Sequence, residues 1–179
     1  MPPSPAVRIA LVFSALLLAG PVHADTVLLQ PSRDNTLFEP IAKDNLEDRS
    51  NGAGVTMFAG KVRDALNASG QVAVRRAVLA FNIAGSGIPA GSTIDSVTLN
   101  LRCTKAKLNS SFNVRLHELL SDWGEGTSNT GNSQQGRGEP PATGDATWRH
   151  TFYDTQFWTT PGGGVTSRHS TSSAHAAAR

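Results

Sequence analysis

Residues 97–104 read Val97-Thr98-Leu99-Asn100-Leu101-Arg102-Cys103-Thr104. Apolar side chains occupy every odd position and polar ones every even position. Successive side chains of a strand point to opposite faces, so this period of two predicts a β-strand with one dry and one wet face. Ile94 adds an apolar residue just before it. Downstream, Phe112, Val114 and Leu116 alternate with Asn113, Arg115 and His117, which predicts a second half-buried strand. Upstream, Val72 to Ile83 (VAVRRAVLAFNI) predicts the longest strand, with Leu79, Phe81 and Ile83 alternating with Val78, Ala80 and Asn82. Two shorter apolar runs, Thr26–Gln30 (TVLLQ) and Val55–Ala59 (VTMFA), predict strands nearer the start. The apolar positions Leu79, Phe81, Val97, Leu99, Leu101, Phe112, Val114 and Leu116 are expected to share one interior.

Between these runs lie turn residues: Asp34-Asn35-Thr36, Ser50-Asn51-Gly52 and Gly85 to Gly91. No segment holds a 3.6-residue apolar period long enough to predict a helix. Short strands joined by turns, without intervening helices, predict an all-β fold, an antiparallel β-sandwich rather than a parallel sheet.

Met1–Ala24 has the three parts of a cleavable signal peptide. Arg8 and the amino terminus give a positive start, Ile9–Gly20 (IALVFSALLLAG) is the apolar stretch, and Val22-His23-Ala24 is the cleavage site before Asp25. The apolar stretch is too short for a bilayer core, which takes about 20 residues. The expected location is secreted and extracellular, or periplasmic, with no membrane span after cleavage. The whole chain of 179 residues carries a formal charge of only +2. With no basic run interleaved with aromatics, nucleic acid is not an expected partner. The single cysteine, Cys103, excludes an internal disulfide and sits at an inward position, where a small buried hydrophobe is expected.

Ser121–Thr147 contains no Val, Ile, Leu, Phe or Met, which predicts a long loop with a functional role or no order. Immediately after it come Trp148, Phe152, Tyr153, Phe157 and Trp158. Sugar rings stack their C–H faces on aromatic rings, and their hydroxyls seek planar polar partners. Trp123, Trp148, Tyr153 and Trp158, with Glu125 beside them, are therefore the candidate ligand-binding residues. Polysaccharide or a cell-surface glycan is the corresponding partner. The competing reading makes the same aromatics core that plugs the end of the sandwich or pins the loop.

Asp34, Asn35, Glu39, Asp44 and Asp48 form an oxygen-rich stretch that suits calcium, though not in EF-hand spacing; the competing reading is a solvated loop with no cofactor. Asp122, Glu125, Asp145 and Asp154 are the carboxylates a glycosidase pair would draw on. His150, His169 and His175 lack metal-ligand spacing and are expected at the surface. No catalytic residues are assigned. From Gly162 the composition collapses into GGGVTSRHSTSSAHAAAR, which predicts a disordered tail over 164–179.

The ordered motifs resemble a known family. Leu29–Glu39 (LQPSRDNTLFE) is followed by Ser50–Gly54 (SNGAG) and Phe58-Ala59-Gly60. Next come Arg75–Ile83 (RRAVLAFNI), Ile88–Ile94 (IPAGSTI) and Val97–Leu101 (VTLNL). The series closes with Leu116–Thr127 (LHELLSDWGEGT), Thr143–Trp148 (TGDATW) and Trp158–Gly163 (WTTPGG). In this order they resemble the DNRLRE-type domain of bacterial secreted and cell-surface proteins, which is related to carbohydrate-binding modules. The resemblance covers most of Thr26–Gly163, the domain expected over 25–163. It implies a jelly-roll β-sandwich without catalysis, acting as a polysaccharide binder or as a structural, adhesive surface module; a glycoside-active enzyme is a remote alternative. It further implies additional strands after Gly163, so that the sandwich of this chain is expected to be incomplete.

Overall fold

The computed structural model describes residues 25–40, 48–63, 72–106, 111–131 and 135–175. Seven strands form: β1 (Arg33–Phe38), β2 (Gly60–Arg63), β3 (Val72–Ala80), β4 (Ser111–Leu119), β5 (His150–Phe152), β6 (Gln156–Phe157) and β7 (Val165–His175). A 3-10 turn covers Gln135–Arg137, and no α-helix occurs among the described residues, so the fold is all-β. Residues 1–24, expected to form a signal peptide, and Asp44 lie outside the described residues. Among those residues no helix is long and apolar enough to cross a membrane.

The strands make three small antiparallel sheets, ordered β1-β3-β2, β4-β7 and β5-β6. The register of β1 on β3 positions the core. Arg33 lies opposite Ala80, Asn35 opposite Val78 and Leu37 opposite Arg76. Opposed residues of an antiparallel pair share a face. One face of this sheet therefore carries Leu37, Val78 and Ala80 at its centre and an arginine at each end. The loop residues Trp123, Ala146 and Trp158 close over that centre, with Leu119 and Trp148 against its rim. The other face buries Thr36 and Phe38. Phe38 lies under the guanidinium of Arg75, 5.0 Å from its ring centre, and Thr36 Oγ1 accepts the Phe58 N–H at 2.9 Å.

Several sequence expectations are corrected here. Asp34-Asn35-Thr36 is part of β1 rather than a turn. In β3 the interior parity is the opposite of the one expected. Val78 is buried and Ala80 packs on the core, while Leu79 and Phe81 are half-buried and Ile83 is exposed. A period of two defines two faces without saying which is covered, and the tryptophans of a distant loop cover the Val78 face. Thr26–Gln30 and Val55–Ala59 are not strands; β2 begins at Gly60.

The largest departure is at residues 93–106, which join no strand ladder. Val97 is 86% exposed, and Leu99, Leu101 and Cys103 are exposed too. An alternating strand has a dry side only when another layer covers it, and none does here. Val114 and Leu116 of β4 are likewise exposed, because β7 extends that sheet sideways and leaves its face open. The Phe112 side chain lies outside what is described.

The tail expected to be disordered instead supplies β7, paired with β4 from Ser111 opposite His175 to Leu119 opposite Val165. Composition argued against order because the segment lacks apolar bulk. Ladder hydrogen bonds, however, are made by the backbone, and the Thr-containing sequence tolerates an extended chain. Residues 176–179 lie outside the described residues.

Candidate binding surface around residues 123 to 158

The candidate residues depend on a buried polar hub at the start of β1. Asn35 is fully buried, and its amide uses both ends. Its Nδ2 donates to Ser50 Oγ at 3.0 Å, Glu125 O at 2.9 Å and Ala146 O at 3.4 Å. Its Oδ1 accepts the N–H groups of Thr36 at 2.6 Å and Asn51 at 3.2 Å. A side-chain amide reproduces the donor and acceptor of a peptide group, so one asparagine ties three loops to the sheet. Asn51 extends the net: its Oδ1 accepts Thr130 N–H and Thr130 Oγ1–H at 3.2 and 3.1 Å.

Asp145 is the second hub residue and is also fully buried. Oδ1 accepts the N–H of Thr127 at 2.7 Å and of Ser128 at 3.4 Å. Oδ2 accepts the Ala142 N–H at 2.7 Å and the Ser128 hydroxyl. Gly126 makes room for this carboxylate. Its φ is +77°, and a Cβ at this position would overlap Asp145 Oδ1.

Two arginines latch the loop aromatics to the ends of the sheet. Arg33 lies 5.0 Å from the Trp123 ring centre, donates to Trp123 O and pairs with Asp122 at 2.8 Å. Arg76 lies 5.0 Å from the Trp148 ring centre and donates to Gly162 O at 2.5 Å. A cation over an indole face is attracted by the ring quadrupole. Each latch therefore combines stacking with a charge-assisted hydrogen bond. The Arg33 hydrogen bond, together with the Trp123 N–H, holds the Asp122 carboxyl below the usual carboxylate range.

Residues 147–158 fold around Thr147 and His150. Thr147 Oγ1 accepts the N–H groups of Arg149 and His150, and Thr147 O accepts Trp158 Nε1–H at 2.8 Å. His150 is buried rather than at the surface as expected. Its Nδ1 sits 3.0 Å from Thr147 Oγ1 and 3.4 Å from Asp48 Oδ2. Its ring meets Tyr153 edge-on at 5.1 Å and Phe157 at 4.3 Å. Asp48 receives Arg149 Nε and Nη2, the latter at 2.7 Å. This bond raises the Arg149 pKa further.

The expected platform is thus divided. Trp123 and Trp158 are 3% and 5% exposed and belong to the core. They present no open face for stacking. Trp148 and Tyr153 are half-buried, and Phe157 is 67% exposed. Glu125 is half-buried, with Oε1 accepting the Asp34 N–H at 3.1 Å. Of the other carboxylates, Asp145 is enclosed by its donors, Asp122 is paired with Arg33, and Asp154 is exposed. Of the oxygen-rich stretch, Asn35 and Asp48 are committed to the contacts above, and Glu39 Oε2 accepts the Val74 N–H at 2.7 Å. No group of three or more metal-ligating side chains occurs among the described residues. His169 and His175 lie on β7, their side chains undescribed.

Burial, and secondarily the charge of Glu125, raises the Asp34 pKa. Asp34 is thus costlier to ionise in the fold than in the unfolded chain. Its favourable contribution is present below the unfolded carboxylate pKa, about 3.9, and is lost as pH rises through its higher folded value. Asp34→Asn is therefore expected to gain stability relative to the unchanged chain as pH rises from 3 towards 7. Urea midpoints across that range measure it; a gap that narrows with rising pH would contradict the assignment.

The sequence singles out Asn35 and Asp48 as calcium oxygens, Asp145 as a glycosidase carboxylate and His150 as a surface residue, but not their roles as buried hub and ion-pair residues. Asn35, Ser50 and Asn51 read locally as turn formers, and nothing in their neighbourhood signals a partner so far along the chain. No protein-family model, curated protein or solved structure matches this chain.

Proposed function

We propose that this chain is a secreted, non-catalytic β-module that acts as a structural element at the cell surface, as the DNRLRE-type resemblance implies. The observation that carries this reading is the inward commitment of the loop chemistry. Trp123 and Trp158 fill the core, and Asp145 is closed in by backbone donors. Groups that a ligand or a reaction would use are consumed in holding the loops to the sheet. The jelly-roll sandwich belongs to the same proposal, as the architecture that the three small sheets would complete.

A second reading, polysaccharide binding, is favoured by Phe157. Its ring is two-thirds exposed, and it and half-buried Tyr153 both lie against the His150 ring. Stacking on one ring contributes on the order of 1 kcal/mol by analogy with aromatic pairs, whereas millimolar affinity takes about 4 kcal/mol. The remaining rings thus support at best a weak site. On a glycan microarray the chain is expected to retain nothing, and Phe157→Ala to behave identically. Retention of a polysaccharide that Phe157→Ala weakens severalfold, with an unchanged melting temperature, would replace the structural reading by the binding one.

A further inference from the structure

The segment around Val97–Thr104 has the alternation of a strand in its sequence, but joins no ladder among the described residues. Every residue from Gly91 to Lys105 is exposed. Val97, Leu99 and Leu101 are 86%, 36% and 56% exposed, all on one side of the period. An unpaired strand edge with an apolar side is a template for another chain, and strand addition is the way such an edge becomes satisfied.

We propose that this segment pairs antiparallel with the same segment of a second copy of the chain. The argument lies in the register. A two-fold axis through Asn100 sets Leu99 opposite Leu101 of the copy, Val97 opposite Cys103, Thr98 opposite Arg102 and Ser96 opposite Thr104. The apolar row meets only apolar residues, and the polar row only polar ones. In the same register Asp95 falls opposite Lys105, twice by symmetry, so each end is closed by opposite charges. Both residues are exposed and available. Sliding the copies by two residues breaks the match. One direction sets Val97 opposite Lys105, and the other sets Asp95 opposite Cys103. A self-complementary patch of this kind is what an isologous two-fold interface needs. Cross-strand pairs each contribute modestly, and like charges placed opposite one another oppose pairing.

Sedimentation equilibrium of the purified chain tests the proposal. A monomer–dimer equilibrium is expected. Asp95→Lys places like charges opposite at both ends and is expected to weaken dimerisation about tenfold, roughly 1.4 kcal/mol. The double change Asp95→Lys with Lys105→Asp is expected to restore it. With Cys103→Ser in place, Asn100→Cys is expected to give a disulfide-linked dimer on oxidation, while Thr98→Cys is not, because the two copies of residue 98 stand four positions apart. A chain that stays monomeric into the millimolar range overturns the proposal. So does a dimer indifferent to the charge exchange. Protected amides at residues 97–104 in a monomer would show that the segment pairs within its own chain, and would overturn it equally.

Discussion

Trp158→Ala is expected to lower the unfolding free energy by about 3–5 kcal/mol. The ring is 5% exposed and lies against Leu37, Val78, Trp123 and Ala146. Truncation leaves a cavity under the sheet and removes the only donor given to Thr147 O by this side chain, the indole Nε1–H. The neighbouring Phe157→Ala serves as the control. That ring is 67% exposed, so its loss should cost less than about 1 kcal/mol. Denaturant midpoints of the two variants check the contrast. Equal losses would mean that the loop does not seat Trp158 in the core. A marginally stable domain has roughly 5–15 kcal/mol in all, so Trp158→Ala approaches the limit of what the fold survives.

The second large effect is expected at Asp145. Asp145→Ala removes the acceptor for the N–H groups of Thr127 and Ala142 and for the Ser128 hydroxyl, at a position with no access to water. A buried donor left unsatisfied costs about 1–3 kcal/mol. A loss of about 3–5 kcal/mol is expected after partial relaxation. Asp145→Asn keeps one accepting oxygen but turns an amide N–H₂ towards donors on the other side, so about 2–3 kcal/mol is expected. Asp154→Ala, at an exposed carboxylate, should be nearly neutral. Thermal unfolding of the three variants separates the cases. If Asp145→Asn were as stable as the unchanged chain, the carboxylate would not be the acceptor that holds Thr127, Ser128 and Ala142.

The two predictions concern residues that the sequence presented very differently. Trp158 was conspicuous, but its environment was not. Aromatic residues after a polar loop suit a sugar platform and a core plug alike, and only the position of Leu37 and Val78 beneath the ring decides between them. Asp145 was visible as one carboxylate among four, with no local sign that backbone N–H groups would surround it. Strand-forming residues were legible where alternation was strong, as in β3 and β4. The covered side was not, because it depends on which distant loop arrives. The Val97–Thr104 alternation was the clearest in the chain and formed no ladder, since a strand needs a neighbour as well as a pattern. The opposite holds for β7, whose sequence lacks an alternating apolar side and which nonetheless pairs with β4.

The polar hub also has a kinetic meaning. Asn35 bonds to Ser50 across 15 positions, but to Glu125 and Ala146 across 90 and 111. The β1-β3-β2 sheet can assemble from the first half of the chain, where Asn35 already meets Thr36, Ser50 and Asn51, yet its Nδ2 gains the Glu125 and Ala146 carbonyls only when the second half arrives. Closing such long loops demands chain entropy before any bond is gained, and non-local pairings of this kind slow folding. Until closure, Asn35 Nδ2 lacks two of its carbonyl acceptors beside Leu37, and the half-built sheet is penalised for drying out. The same residue that fastens the finished structure therefore holds the unfinished one wet, delaying collapse until the distant segment is there to receive it.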